Sequence, residues 1–353
     1  MSGGVDSSVA ASLLHDEGFD VIGVTLKLYD YGELDFDPPD GGCCTIDLIE
    51  DARSVCSLLG IPHYVLDLRD SFKKNVIENF IEAYAGGRTP NPCVACNTFI
   101  KWKEMLKTAD KLECNYIATG HYARIQETEG KARLLRGIAK DRDQSYALWG
   151  ISMEALSRTL FPLGELTKRE TREIARRFGF RNAGRPDSQE ICFVPANDYA
   201  DIIRQRFGED SVSMRPGPII DGAGRVVGRH KGIARYTIGQ RRGLGISHPE
   251  PLYVTNIDAA SATVTVGPKE MLYGSRFTVA GVNLIAPTED FADGIDIKIR
   301  YRHKAARGTV GLSNGTAEVI FDRPERAITP GQSAVFYRDD FVLGGGIIDK
   351  VLG

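Results

Sequence analysis

The stretch Ser2-Gly3-Gly4-Val5-Asp6-Ser7-Ser8 runs straight into the apolar spacing Val9, Ala10, Leu13, Leu14, and that junction decides the fold. Two glycines let the backbone curl so that several N–H groups converge. The serines add hydroxyl donors, and the helix after them adds partial positive charge at its N-terminus. Such a turn cradles a phosphate group. No Gly-Lys-Ser/Thr comes next, so it is not the lysine-bearing Walker loop. A loop of this kind is fed by a strand, yet only Met1 precedes it; the numbered chain is expected to lack the natural first strand of its sheet.

Outward from the loop, strand-like and helix-like patterns alternate over the first ~200 residues, as in an α/β domain with a parallel sheet. Val21 to Leu26 reads as a buried strand, and residues 47–59 as a helix with Leu48, Ala52, Val55, Cys56 and Leu59 on one face. His63 to Leu68 is a second strand. Phe72, Val76 and Phe80 stripe the next helix, which Gly86-Gly87 stops. Tyr116 to Thr119 is a short strand, and residues 168–179 form a charged helix ended by Gly179. After Phe207 glycine becomes frequent and alternation replaces helical periodicity. Phe277 to Ile285, Asp296 to Tyr301, Ala317 to Phe321 and Ser333 to Tyr337 suit a small barrel. The expected organisation is a parallel-sheet domain over 1–207, a small β-rich central domain over 208–272 and a C-terminal β-barrel over 273–353.

Composition narrows the function classes. The 353 residues are 42% hydrophobic and 26% charged, which excludes a disordered or fibrous chain. No run approaches a membrane span and no secretion signal opens the sequence, so a cytoplasmic protein without membrane partners is expected. Seven cysteines at irregular spacing argue against a disulfide scaffold and for catalytic or metal-binding thiols. The net charge of −3 hides strong clustering. Residues 28–51 hold eight acidic and no basic residues, whereas 225–245 hold six basic and no acidic ones: Arg225, Arg229, Lys231, Arg235, Arg241 and Arg242. Residues 296–307 hold five basic residues and one acid, with Tyr301 among them. Each cluster alone reads equally as a solvated loop; two of them in the appended modules point to a phosphate-backbone partner.

Cys93 and Cys96 lie in Arg-Thr-Pro-Asn-Pro-Cys-Val-Ala-Cys-Asn, residues 88–97. The two prolines predict a stiff loop, with Asn97 capping the next helix and Cys96 beside its N-terminus, where a thiolate is favoured. Cys192 lies in Pro-Asp-Ser-Gln-Glu-Ile-Cys-Phe-Val, residues 186–194. A Cys-x-x-Cys and a distant Cys are compatible with a nucleophile and persulfide partner, with three ligands of an iron–sulfur cluster, or with part of a zinc site to which Cys43-Cys44 could add a ligand. Cys56 and Cys114 read as buried small hydrophobes.

Further motifs carry a resemblance. The loop matches the Ser-Gly-Gly-x-Asp-Ser signature of PP-loop ATP pyrophosphatases, whose domain is of the adenine nucleotide α-hydrolase-like type. Ala-Thr-Gly-His-Tyr-Ala-Arg at 118–124, Asp-Arg-Asp-Gln-Ser-Tyr-Ala-Leu at 141–148 and Leu-Phe-Pro-Leu-Gly-Glu-Leu-Thr-Lys at 160–168 extend it. Ser-Gln-Glu-Ile-Cys-Phe-Val at 188–194, Tyr-Thr-Ile-Gly-Gln-Arg-Arg-Gly-Leu-Gly-Ile at 236–246 and Arg-Ala-Ile-Thr-Pro-Gly-Gln at 326–332 complete it. Together these resemble the bacterial tRNA-specific 2-thiouridylases over nearly the whole chain.

That resemblance implies tRNA as substrate, ATP with Mg2+, and a persulfide-carrying sulfur-relay protein as partner. ATP would bind Ser2, Gly3, Gly4, Val5, Asp6, Ser7 and Ser8, with Leu26 and Gly120 near the adenosine. The 2-oxygen of the wobble uridine would be adenylated. Cys192 would carry a persulfide, Cys96 would act as nucleophile, and a Cys96–Cys192 disulfide would form at turnover. Asn91, Pro92 and Cys93 would face the target base. His121, Arg142, Asp143, Gln144, Arg300, Tyr301 and Gln332 would contact tRNA, and Arg241 and Arg242 are expected on its phosphates. Plainer readings stand beside these: His121 as a hydrogen-bonded structural histidine, Asp143 and Gln144 as caps of a helix at 144–149, Tyr301 as a barrel residue. Many relatives carry Asp where this chain has Cys93. A third thiol there keeps open an iron–sulfur version on Cys93, Cys96 and Cys192. The rival functions are another adenylating ligase, which needs neither Cys96 nor Cys192, and a zinc-stabilised RNA-binding protein.

Overall fold

The computed structural model describes residues 1–29, 46–128, 130–186, 191–194, 199–208, 211–292 and 294–352. Most of the acidic stretch, with Cys43 and Cys44, lies outside them, as do residues 187–190 ahead of Cys192. The described chain divides into two compact units.

The first unit comprises Met1–Val76, Cys93–Asn197 and Asp340–Val342. It carries the α/β pattern. The strand Gly23–Lys27 pairs in parallel with His63–Asp67, Gly23 opposite His63 and Leu26 opposite Leu66. Ile117–Ala118 pairs in parallel with Thr159–Leu160. The helix Ile46–Leu59 buries Leu48, Ala52, Val55 and Cys56, the face its spacing predicts. Val5, Val9 and Ala10 of the first helix share one apolar cluster with Val55, Tyr122, Leu163, Ala175 and Phe180. The charged helix runs over Lys168–Arg177 and starts with a reciprocal cap between Thr167 and Glu170.

Two expectations fail locally. Cys114, expected buried, is half-buried ahead of the strand at Ile117. Residues 92–97 are not a loop ending in an Asn97 cap. A helix opens at Pro92, and its Pro92–Ala95 turn continues as a π-helical turn over Cys96–Trp102. Proline has no N–H to lose at the first helical position, and its fixed φ suits that place. Asn97 lies inside the run, 3% exposed, and donates from Nδ2 to the Ala147 carbonyl at 2.9 Å.

The second unit comprises Ile77–Pro92, Asp198–Asp339 and Leu343–Gly353. The helix Glu78–Ala85 ends at Gly86, and Gly87 adopts φ +73°, the left-handed stop its glycine pair predicts. It packs on the helix Tyr199–Phe207 through stacked Tyr84 and Tyr199, ring centroids 5.3 Å apart. Beyond it lies a four-stranded sheet in the order Val226–His230, Gly217–Ile220, Thr263–Gly267, Tyr253–Asp258. Ile219, Val254, Val264 and Val266 form its core. Six strands then close a barrel in the order Tyr273–Leu284, Thr316–Arg326, Ala306–Ser313, Ile295–Lys298, Ser333–Arg338 and Phe341–Leu352. The last pairs back on the first, Phe277 opposite Val351. Phe277, Ile297, Val319, Phe336 and Ile348 fill it.

Candidate active site

In the first unit the phosphate loop is built as a rigid turn. Gly3 takes φ +72°, and a Cβ there would lie 2.4 Å from the Leu48 carbonyl oxygen, so glycine is required. Gly4 is the N-cap of the helix Val5–Asp16 and no side chain caps it, which leaves the first-turn N–H groups able to hold an anion. Ser7 Oγ accepts from Ser2 N at 3.1 Å and donates to the Gly4 carbonyl at 3.1 Å. Asn182, 4% exposed, holds the loop from below by donating to the Gly3 carbonyl at 2.8 Å and to Ser8 Oγ at 3.0 Å.

Asp6 is tied down by two distant residues. Lys168 Nζ lies 2.8 and 2.9 Å from its two carboxylate oxygens, and Tyr122 Oη donates to Oδ1 at 2.9 Å. Lys168 thus supplies beside the loop the cation that the loop's own sequence lacks. Gly120 lies against the Asp6–Ser7 peptide, where a Cβ would come within 2.6 Å of Asp6 C. Leu26 sits near the C-terminal end of its parallel strand, the end at which open α/β sheets receive ligands.

The thiol-bearing segments share one neighbour. The Cys192 carbonyl accepts from Tyr29 Oη at 2.6 Å. Tyr29 packs on Phe72 at 5.9 Å between ring centroids, and Phe193 meets Phe72 edge-on at 5.7 Å. Phe72 closes the first turn, Arg69–Phe72, of a helical run that goes on as a π-helical stretch over Lys73–Ile77, and that first turn also packs against the Cys96–Trp102 turn. The segments of Cys96 and Cys192, far apart in sequence, therefore both approach the Arg69–Phe72 turn. Cys96 and Cys192 are half-buried, and Cys93 is exposed. Among the described residues no three His, Cys, Asp or Glu side chains gather closely enough to hold a metal ion.

The expected RNA-contacting residues fall into different environments. In the first unit His121 is buried, its Nδ1 2.8 Å from Thr119 Oγ1 and its ring against Trp102 and Phe161. Burial pushes its pKa well below the usual histidine value, with Lys101 adding to the effect. Asp143 is buried too, accepting from Gly137 N, Ser145 N and Ser145 Oγ at 3.0–3.2 Å. Gln144 Oε1 accepts from Tyr122 N at 2.9 Å. Arg142 is half-exposed. In the second unit Arg241 and Arg242 are exposed, as are Arg225, Arg229, Lys231 and Arg235. Arg300 Nη1 donates to the carbonyls of Arg326 and Ala327, and Tyr301 is 41% exposed. Gln332 Nε2 donates to the Thr89 carbonyl at 2.7 Å.

The neutral state of His121 has a measurable consequence. Its folded pKa lies below its unfolded value of 6.5, so below pH ~6.5 the unfolded chain binds a proton that the folded chain refuses. Stability is complete above that pH and falls as pH drops through and below it, by at most ~1.4 kcal/mol per pH unit for one group. His63, also in this unit, is lowered by burial and adds in the same direction. Both tryptophans, Trp102 and Trp149, belong to this unit, so their fluorescence reports its unfolding alone. The urea midpoint is expected to fall between pH 7.5 and 5.5, and His121→Gln is expected to flatten part of that slope. An identical slope in the variant would mean that His121 titrates normally.

Comparison with known proteins matches three successive stretches of the chain. Residues 1–196 match the family described as the tRNA methyl transferase HUP domain. Residues 205–268 match the tRNA methyl transferase PRC-barrel domain, and 275–348 the aminomethyltransferase beta-barrel domain. The tRNA-specific 2-thiouridylase MnmA of Clostridium perfringens is 45% identical over 356 residues, covering 100% of this chain and 98% of that protein. Those of Geotalea uraniireducens and Salinibacter ruber are each 48% identical, covering 100% of this chain and 94% of their own. The chain belongs to the tRNA-specific 2-thiouridylase family.

Within the 2-thiouridylase frame, three supporting residues are visible only in the fold: Lys168 and Tyr122 on Asp6, and Asn182 under the loop. Lys168 and Tyr122 lie inside motifs already conspicuous in the sequence, at 160–168 and 118–124. Nothing in their spacing says that both meet a carboxylate more than a hundred residues away. Asn182 carries no local signal beyond its place ahead of Gly184.

Proposed function

We propose that this chain is a tRNA-uridine 2-sulfurtransferase: it adenylates the 2-oxygen of a wobble uridine in tRNA and replaces that oxygen with sulfur. The single observation that carries the reading is the pairing, in one unit, of an uncapped phosphate loop with two cysteine segments that both approach one helical turn. A ligase on the same loop needs no such thiols. An RNA-binding module needs no such loop. The domain descriptions speak of methyl transfer, but that chemistry uses neither feature.

In this reading ATP is a substrate, its phosphates on Ser2–Ser8 and its adenosine by Leu26 and Gly120. Asp6 is the loop carboxylate that would hold Mg2+, which usually takes one or two protein carboxylates besides the phosphates and shields their charge. The uracil 2-oxygen attacks the α-phosphorus and pyrophosphate leaves, turning a poor leaving group into AMP. The terminal sulfur of a Cys192 persulfide attacks carbon 2 and AMP departs. The Cys96 thiolate then attacks Cys192 Sγ. That forms the Cys96–Cys192 disulfide and leaves both electrons of the broken S–S bond on the sulfur at carbon 2, giving the thiocarbonyl. A dithiol reductant resets the pair, and a persulfide-carrying relay protein reloads Cys192.

We further assign 1–207 to catalysis, 208–272 to tRNA binding and 273–353 to the barrel, with the cytoplasm as the working compartment. Asn91, Pro92 and Cys93 face the base, while Arg142, Arg241, Arg242, Arg300 and Tyr301 contact tRNA. His121, Asp143 and Gln144 shape the first unit's share of the RNA contacts from within. A cluster on Cys93, Cys96 and Cys192 is the second reading, favoured by the third thiol and opposed by the lack of a three-ligand group among the described residues.

The deciding experiment incubates the protein with ATP, a persulfide donor and a tRNA transcript, then analyses the nucleosides by mass. The expected product is 2-thiouridine, with AMP and pyrophosphate released; adenylation without thiolation would favour a ligase. Full activity in iron-free protein would remove the cluster. Arg241→Ala with Arg242→Ala is expected to weaken tRNA binding and lower the slope of log K against log salt by about 1.5, as loss of two phosphate contacts should. An unchanged slope would move both residues off the RNA.

A further inference from the structure

The segment ahead of the cysteine loop is held by backbone-directed contacts from the barrel. Thr89 N donates to the Pro330 carbonyl at 2.9 Å, and Gln332 Nε2 donates to the Thr89 carbonyl at 2.7 Å. Between these two contacts, Gly331 takes φ +94°, and a Cβ there would lie 2.8 Å from Thr89 N. One residue away, Arg88 pairs with Asp349 at 2.6 Å. The turn that does the holding is itself fixed: Gly331 N donates to the Ile348 carbonyl and Ile348 N to the Gln332 carbonyl, each at 2.8 Å. Ile348 is fully buried in the barrel core. On the other side Gly87 lies close to Ile257 of the central sheet.

Both backbone groups of Thr89, the N–H of one peptide and the carbonyl of the next, are thus claimed by a single distant turn. The residues just after Thr89 give the arrangement its purpose. Of the three between Thr89 and Cys93, two are proline. Each proline has a locked φ and restricts the residue before it. An orientation set at Thr89 is therefore passed along a stiff lever to Asn91 and Pro92.

We propose that Gln332 is a positioning residue: with Gly331 it clamps the backbone at Thr89 and so fixes the Asn91–Cys93 segment assigned above to the target base. This rests on the thiolation reading, and it replaces a direct RNA contact for Gln332 with an action through Thr89. The barrel thereby becomes a working part of catalysis and not only a surface for tRNA.

The test uses Gln332→Met, which keeps the side-chain length and removes the donor, and Gln332→Glu, which sets an acceptor against the Thr89 carbonyl. Amide hydrogen exchange is read on peptides spanning 88–92. Only Arg88, Thr89 and Asn91 carry an exchangeable amide there, since the other two residues are proline. The Thr89 N–H is bonded to the Pro330 carbonyl and not to Gln332, so its exchange reports opening of the whole clamp; it is expected to rise about tenfold in both variants, as the clamp loses roughly one hydrogen bond's worth of local stability. Single-turnover thiolation is expected to fall about tenfold at saturating tRNA, with tRNA affinity and the melting temperature held. Unchanged exchange at Thr89 would overturn the clamp whatever happens to activity. Lost tRNA affinity with unchanged exchange would make Gln332 an RNA contact, and a lowered melting temperature with proportionate loss of every activity would make it merely structural. If the exchange rises but the parent protein makes no 2-thiouridine, the clamp stands and the function assigned to its loop falls.

Discussion

Replacing Cys192 with serine is expected to abolish 2-thiouridine formation, by at least ~10³-fold, while tRNA affinity stays within twofold and pyrophosphate is still released. A hydroxyl cannot carry a persulfide, so no conservative residue rescues this position. The thiol carries little of the tRNA binding energy, which comes mainly from phosphate contacts elsewhere. Cys96→Ser should lose product to a similar extent for a different reason, because its Cys192 persulfide forms but the S–S bond is never broken. Mass analysis then separates the two defects: loaded with the persulfide donor alone, the Cys96 variant should hold one extra sulfur on Cys192, and with ATP and tRNA it should stall as a Cys192–S–S–tRNA adduct; the Cys192 variant should show neither. Normal 2-thiouridine from either variant would end the two-thiol scheme. Cys93→Ala sharpens the comparison. It should stay active if Cys192 carries the sulfur as a persulfide, and should be as dead as the other two if all three thiols ligate a cluster. What supports the scheme in the fold is that the Cys96 and Cys192 segments both approach the Arg69–Phe72 turn.

The legible parts of this molecule were those that repeat. The Leu48, Ala52, Val55, Cys56 face and the β-alternation around Phe277 and Phe336 arise from burial at a fixed period, while Phe72, Val76 and Phe80 are buried as read although Lys73–Ile77 between them is π-helical. The strand pair Ala123–Thr128 and Lys131–Arg136 was not legible although it alternates, because the two strands hold only Ala123, Ile125, Ala132, Leu134 and Leu135 as apolar residues amid charge. Ala306–Ser313 is masked by Gly308 and Gly311. The helical start at Pro92 was obscured by the very prolines that suggest a loop, and a π-helical turn has no 3.6-residue period to detect. At the site, the phosphate loop announced itself because its chemistry is local. Lys168, Tyr122 and Asn182 did not, because each acts across the fold on a group that its own neighbours do not mention. Gln332 stood in a conspicuous motif, but its partner at Thr89 lies 243 residues away.

Gly120 offers the other large effect. A Cβ at this position would lie 2.6 Å from Asp6 C and 2.8 Å from both Asp6 O and Ser7 N. All three neighbours are backbone, so no side chain can rotate out of the way; either the end of the Ile117–Ala118 strand or the phosphate loop must shift. The loop is the costlier element to move. Asp6 is held by Lys168 and Tyr122, and Gly3 and Ser8 by Asn182, so a displacement at the Asp6–Ser7 peptide disturbs all these contacts together. Adenylation depends on reacting groups held to within a fraction of an ångström, and a misplacement near 1 Å can cost about 10²-fold. Gly120→Ala is therefore expected to cut tRNA-dependent pyrophosphate release about 10²-fold or more, leave tRNA affinity unchanged, and keep Cys192 able to take up persulfide. Gly184→Ala is the control, since nothing lies within 4 Å of its Cβ and its backbone is not strained; it should behave as the parent. If Gly120→Ala released pyrophosphate at the parent rate, the phosphates would not sit on the Asp6–Ser7 peptide, and the nucleotide would have to be placed elsewhere.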